Sequence, residues 1–175
     1  MHNYEHANGH LPPAAVTDPN GQPLLSWRVL ILPYIEHEDL YKQFHLDEPW
    51  DSPHNLTLLD RMPRTYAVRS RHVNPPPNTT YSQVFVGKGT PFESGKKGAL
   101  NDFKRGTSNT LLIVEAGEPV IWTKPEDIPY DPNGPLPRMG GVWPDIMRAA
   151  MADGSRMKFQ KPFNEAELRA MITIE

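Results

Sequence analysis

There is no cysteine among the 175 residues. That absence removes disulfides, thiolate metal sites and cysteine nucleophiles together, while leaving the compartment open, since secreted and cytosolic chains alike can lack cysteine. No apolar run approaches the roughly 18 residues that argue for a membrane-spanning helix. Nothing after Met1 has the basic-then-apolar order of a secretory signal. A basic excess is missing as well: 18 Lys and Arg stand against 21 Asp and Glu, a formal net charge of −3. Without a strongly positive field, nucleic acid and anionic lipid are not expected partners.

Catalytic motifs are equally scarce. There is no G-x-S-x-G, and the stretch Gly89 to Lys97 has the wrong spacing and a lysine where a phosphate loop needs Ser or Thr, so it reads as a flexible glycine loop. His2-Asn3-Tyr4-Glu5-His6 matches the H-x-x-E-H zinc pattern. A frayed chain start cannot hold ligand geometry, however, and a third protein ligand is not identifiable. Asp18 and Asp131 open no calcium loop, because the twelfth positions are Val29 and Val142. No enzyme activity, no metal and no cofactor are therefore expected.

What the chain has in quantity is proline, 20 residues, with 12 glycines. A chain of this length buries roughly 70% of its unfolded surface, so one soluble domain over residues 1–175 is expected. Asp18-Pro19-Asn20-Gly21 and Asp131-Pro132-Asn133-Gly134 read as two type I turns. The opening residues look like the last turns of a helix stopped by Gly9, which suggests that the natural chain begins earlier. Ser26 is placed to cap a helix from Trp27 towards Ile35 that Pro33 kinks or ends. A further helical stretch spans 38–44, with Leu40 and Phe44 inward and Glu38 and Lys42 paired outside. Ser52-Pro53 starts another through Leu56, Leu59 and Met62.

Beyond Tyr66 the pattern changes to β-branched and aromatic runs at Tyr81–Val86, Thr110–Glu115 and Val120–Trp122. The proline-rich segments 74–78 and 123–139 read as surface loops outside the ladder. Asp153-Gly154 predicts a two-residue hairpin turn pairing Ala152 with Ser155, Ala150 with Met157 and Arg148 with Phe159. Asn164 caps a last helix to about Ile172. The fold class is α+β: a helical N-terminal third, then an antiparallel sheet with a C-terminal hairpin and a short helix. For ligands, the tryptophans and polar groups of the loops suit a sugar or peptide, and Trp122, Lys124, Glu126, Asp127 and Trp143 are the candidate binding residues.

Several segments taken together resemble a large paralogous family of planctomycete proteins that carries a domain-of-unknown-function label. They are His2-Asn3-Tyr4, Leu11-Pro12-Pro13-Ala14, Leu25 to Glu36 with Trp27 and Pro33, and Glu48 to Asn55 with Trp50 and Asp51. The likeness continues through Gly106 to Thr110 with Asn109, then Glu115, Trp122 to Asp127, and Ala152-Asp153-Gly154-Ser155. In that family a prepilin-type segment, as in pseudopilins of type II secretion, precedes the part seen here, and a C-terminal His is followed after nine residues by Asp-Gly. Here Trp143 stands at the His position, and Val68-Arg69-Ser70 replaces the Cys-Pro-Ser of many relatives. The family is also catalogued as resembling extracellular solute-binding proteins.

The resemblance implies a pilin-like head without its long helix, membrane-anchored through that helix, working outside the cytoplasm as a non-enzymatic structural or interaction module. The alternative is an extracytoplasmic solute-binding domain using the Trp122–Asp127 loop. In the pilin reading an apolar groove lined by Leu112, Val114, Trp27 and Ile31 is left uncovered, which implies self-association or a protein partner.

Overall fold

A computed structural model describes residues 1–175. Its N-terminal third is a chain of short helical turns, three of them bounded by an identifiable cap: Gly9, Ser26 and Ser52. Helix α1 (His2–Asn8) ends on Gly9, which takes a left-handed conformation at φ 74°. The start is docked rather than frayed: Tyr4 meets the edge of Tyr34 with ring centroids 5.4 Å apart, and His2 bonds the Ala152 carbonyl at 2.8 Å. Leu11 to Ala14 is irregular and leads into a ribbon of β1 (Ala15–Thr17) and β2 (Pro23–Ser26), an element without a strong alternation signal in the sequence. The Asp18 turn joins them, with Gly21 N–H donating to the Asp18 carbonyl (3.0 Å) and Asp18 Oδ1 accepting from Asn20 N–H (2.9 Å).

Ser26 caps α2 (Trp27–Leu30), its hydroxyl accepting from Arg28 N–H. The expected run to Ile35 is instead α2 followed by a 3-10 turn over Leu32–Ile35, because Pro33 offers no amide to continue an α-helical ladder. Helix α3 (Glu38–Tyr41) buries Leu40 and carries the Glu38–Lys42 pair at 2.8 Å. Helix α4 (Pro53–Leu56) is capped by Ser52 but stops at Leu56 instead of continuing to Met62. Thr57 turns its hydroxyl back onto the His54 carbonyl, and Leu56 at the helix end is 44% exposed.

The sheet has four antiparallel strands in the order β3 (Thr79–Gln83), β5 (Leu111–Ile121), β7 (Ile146–Met151) and β8 (Arg156–Gln160). The two separate runs expected around residues 110–115 and 120–122 form the single strand β5. Pro119 is accommodated where β5 spends more residues than β3 between the Glu115–Ser82 and Val120–Thr80 pairs, so no ladder amide is required of it. The run 81–86 divides: after Gln83 the chain leaves the sheet, and β4 (Phe85–Val86) pairs in parallel with β6 (Ile128–Pro129). The 123–139 segment is therefore not wholly outside the ladders. Helix α5 (Glu165–Ile172) begins on the Asn164 cap. No helix is long and apolar enough to cross a membrane.

The hairpin lies where expected but one residue out of register. Ala149 faces Met157, Arg148 faces Lys158 and Met147 faces Phe159. The loop holds three residues, Ala152 to Gly154: Gly154 N–H donates to the Met151 carbonyl and Gly154 alone takes positive φ, at 87°. That is a type I turn closed by a left-handed glycine, and the odd loop length moves every pair by one.

Two apolar clusters flank the sheet. One unites the N-terminal third with Val84, Leu112, Trp122 and Ala152. The other packs Leu111, Val114, Met147, Ala149 and Met151 against Leu168 and Ile172 of α5. The expected open groove is absent: Trp27, Ile31, Leu112 and Val114 are all buried, none more than 5% exposed, because the chain's own helices close over them. The remaining open face carries Arg148, Arg156 and Lys158 and is charged rather than apolar.

One buried ion pair ties these parts together. Arg28, wholly buried, donates to Asp127 Oδ1 (2.7 Å), the Ser26 hydroxyl (2.6 Å) and the Ser82 carbonyl (2.9 Å). Asp127 Oδ1 also accepts from Trp27 Nε1 (3.2 Å) and Val84 N–H (2.9 Å). Tyr66 donates its hydroxyl to the Arg28 carbonyl at 2.8 Å and stacks on Trp122. Burial pushes the Asp127 carboxyl above its usual range and the Tyr66 phenol above its own.

Four outcomes are expected. Gly154→Val, which puts a β-branched residue at positive φ, lowers stability by about 1–3 kcal/mol in urea unfolding. Arg28→Met, which leaves the Asp127 carboxylate buried without its counter-charge, costs about 3–5 kcal/mol. Asp127→Asn added to it restores part of the loss, because the amide oxygen still accepts from Trp27 and Val84. Since the folded chain holds the Tyr66 proton more tightly than the unfolded chain, that contribution is complete below about pH 10 and declines as pH rises above it. Thermal melts across that range should show a shallower alkaline loss for Tyr66→Phe.

Candidate functional site

The five residues singled out as ligand-binding do not form one site. Trp122 has no exposed surface: it packs on Tyr66, meets Phe44 edge-on and donates Nε1–H to the Leu59 carbonyl at 2.9 Å. A ring so enclosed offers no face to a solute. Lys124 pairs with Glu126 at the surface and lies over Trp50, 5.8 Å from its ring centroid. Asp127 is bound into the Arg28 pair. Trp143 belongs to a different part of the molecule.

Glu126 and Asp127 line a cleft of about 820 Å³. One bank is the extended stretch from Leu11 to Ala15, and the other is the loop from Pro91 to Gly98, with Pro125 to Pro129 forming the floor. The walls carry many proline rings, among them Pro12, Pro13, Pro23, Pro91 and Pro129. Their cause is local: proline cannot join a ladder, so these segments run as irregular walls beside the β1–β2 ribbon and the β4–β6 pair. The Pro12 and Pro13 carbonyls and the Lys97 and Gly98 amides have no hydrogen-bond partner within the chain. Glu93, Lys96, Lys97 and Glu126 supply charge. The only aromatic side chain among the lining residues, Phe92, is 4% exposed.

The loop bearing Lys96 is organised from within. Glu93 accepts Gly89 N–H at 2.8 Å and pairs with Lys96 at 2.9 Å, contacts that hold its carboxyl below the usual range. A carboxylate of the chain itself thus occupies the amide that a phosphate-binding glycine loop would leave open.

A smaller cleft, about 410 Å³, lies where residues 138–141 are stitched to β5. Gly140 N–H donates to the Glu115 carbonyl and Gly141 N–H to that of Ala116. Here two residues carried by the family resemblance meet: Trp143 Nε1–H donates to Glu115 Oε1 at 3.2 Å, and Glu115 Oε2 accepts Arg148 N–H at 2.9 Å. Arg148 lies over the Trp143 ring, 4.1 Å from its centroid, and His72 meets it edge-on at 5.4 Å. Lys161 reaches across to the carbonyls of Gly140 and Trp143.

The other motif residues are structural. Asp153 Oδ1 accepts Ser155 N–H in the hairpin turn, Asn109 donates its side-chain amide to the Arg105 carbonyl, and Trp50 N–H donates to Leu24. Asp51 is exposed. Sequence reasoning overlooked Arg28, Lys161, His72 and the Pro91–Gly98 bank. Arg28 had a readable signal: a lone cation inside an otherwise apolar run requires a buried acceptor. The rest depend on contacts between distant segments.

Residues 1–72 match the family model SBP_bac_10, whose description is a protein of unknown function (DUF1559). No curated protein and no solved structure matches the chain. The matched stretch supplies the Leu11–Ala15 bank of the larger cleft and His72 of the smaller. Over this N-terminal part, the chain is similar to a family of unknown function that bears a solute-binding label.

Proposed function

We propose that the chain is a non-enzymatic, extracytoplasmic solute-binding module that holds a short extended peptide in the larger cleft. The observation carrying this reading is the cleft itself. At about 820 Å³ it falls within the size range of small-ligand sites, and Pro125, Glu126 and Asp127, the end of the loop singled out in the sequence, line it. Unpaired backbone carbonyls at Pro12 and Pro13 and unpaired amides at Lys97 and Gly98 suit a ligand that itself presents both amides and carbonyls. A sugar is less suited, since recognition of its apolar face uses an exposed aromatic ring and Phe92 is buried. The family's solute-binding label supports the same reading and the extracytoplasmic placement.

The pseudopilin-head reading rested physically on an uncovered apolar groove. With Trp27, Ile31, Leu112 and Val114 closed over, that reason for pairing with a long helix or a second copy is gone. The assembly role then rests on the sequence resemblance alone.

Native mass spectrometry of the protein incubated with a mixture of short unstructured peptides, and separately with oligosaccharides, tests the proposal. Peptides should be retained and sugars should not. Ser94→Trp, a substitution of an exposed residue on the cleft wall, should abolish retention while leaving the melting temperature within about 2 °C, as surface changes usually do. Absence of retained peptide, or retention unchanged in Ser94→Trp, would sink the reading.

A further inference from the structure

The smaller cleft holds a cation without a counter-ion. Lys161 Nζ donates to the carbonyls of Gly140 and Trp143 and forms no ion pair, so two of its three protons are used and its charge is uncompensated. Lys161 lies against Gly140, where a Cβ would stand 2.9 Å from its Cε and 3.2 Å from its Nζ.

The surroundings increase the positive field. Arg138 lines the same cleft, and its one ionic contact, to Glu118 at 3.3 Å, joins two side chains that are 84% and 72% exposed. Such a pair contributes little. On the adjoining sheet face Arg148 stands directly across from Lys158 in the β7–β8 ladder, and neither has an ionic partner. Like charges at facing positions are destabilising, so the arrangement is a cost to the fold. The remaining wall is apolar, formed by Val73, Met139, Val142 and Pro144 beside Trp143.

We infer that this cleft is a second binding site, separate from the peptide cleft, for a small organic carboxylate attached to a compact apolar body. The ligand's carboxylate takes the free Lys161 proton and replaces Glu118 on the Arg138 guanidinium, which can present two parallel N–H donors to it. Its apolar body lies along Val73 and Pro144, the lining apolar residues that keep exposed surface. One negative charge matches the site better than two. Arg138 and Lys161 bring two positive charges and Glu118 one negative, and Glu115 is already held by Trp143 and the Arg148 amide.

The Trp143 indole N–H reports on the site in a nitrogen–proton correlation spectrum. Benzoate, titrated at constant ionic strength against chloride, should shift it saturably, and inorganic phosphate should bind more weakly. Lys161→Gln should weaken benzoate binding about tenfold or more, and Arg138→Gln, at the exposed rim, by about threefold or more, as expected when one charge-assisted hydrogen bond is lost. Lys97→Gln, in the other cleft, should leave it unchanged. A linear, unsaturated shift, phosphate binding as tightly as benzoate, or undiminished binding in Arg138→Gln would overturn the assignment. Because Arg138 is exposed, that variant decides the matter even where Lys161→Gln fails to fold.

Discussion

The Arg28–Asp127 pair is the constraint on which the arrangement of segments depends. A guanidinium with no exposed surface must find acceptors for its donors, and it finds them on three separate stretches: the end of β2, the end of β3 and the loop before β6. Neutral hydrophobic packing is tolerant of small shifts, whereas an ion pair in a low-dielectric interior is not. The pair therefore selects one relative placement of the helical third against the sheet. Asp127 lines the larger cleft, so the pair ties the floor of that cleft to the helical third. The other Asp127 oxygen has no hydrogen-bond partner, so the carboxylate is held wholly from one side.

Local chemistry was legible wherever a single residue decides it. Ser26, Ser52 and Asn164 cap as their side chains require, both Asp-Pro-Asn-Gly turns form, and Gly9 ends the first helix. Lengths and registers were less so. Whether Pro119 ends a strand or sits in a widened stretch depends on how many residues the neighbouring strand spends opposite it, and the hairpin register depends on one residue in the loop. The α+β class survived both errors, since it follows from the change of periodicity near Tyr66 and not from the boundaries.

The sites were harder to read for a related reason. Tryptophan beside proline marks a rigid loop equally well when the ring points inward, as with Trp122, or lines a cleft, as with Trp143. The residues that shape the clefts lie far apart in the chain, so no spacing rule links Pro12 to Gly98 or His72 to Lys161. Glu115 and Trp143 were noted separately through a family pattern, and only the fold shows that they bond each other.

Strand β5 has one residue more than its neighbour requires. Leu111 faces Met151 and Ile113 faces Ala150, so Leu112 has no cross-strand partner. Because of that bulge, two consecutive residues serve the same side: Leu112 and Ile113 both pack with the cluster of the N-terminal helices, while Leu111 and Val114 on either side of them join the cluster beneath α5. The bulge thus acts as a phase marker along the chain. Removing a single residue there would exchange inside for outside along one whole arm of the strand, which makes spacing at this point as tightly constrained as side-chain identity.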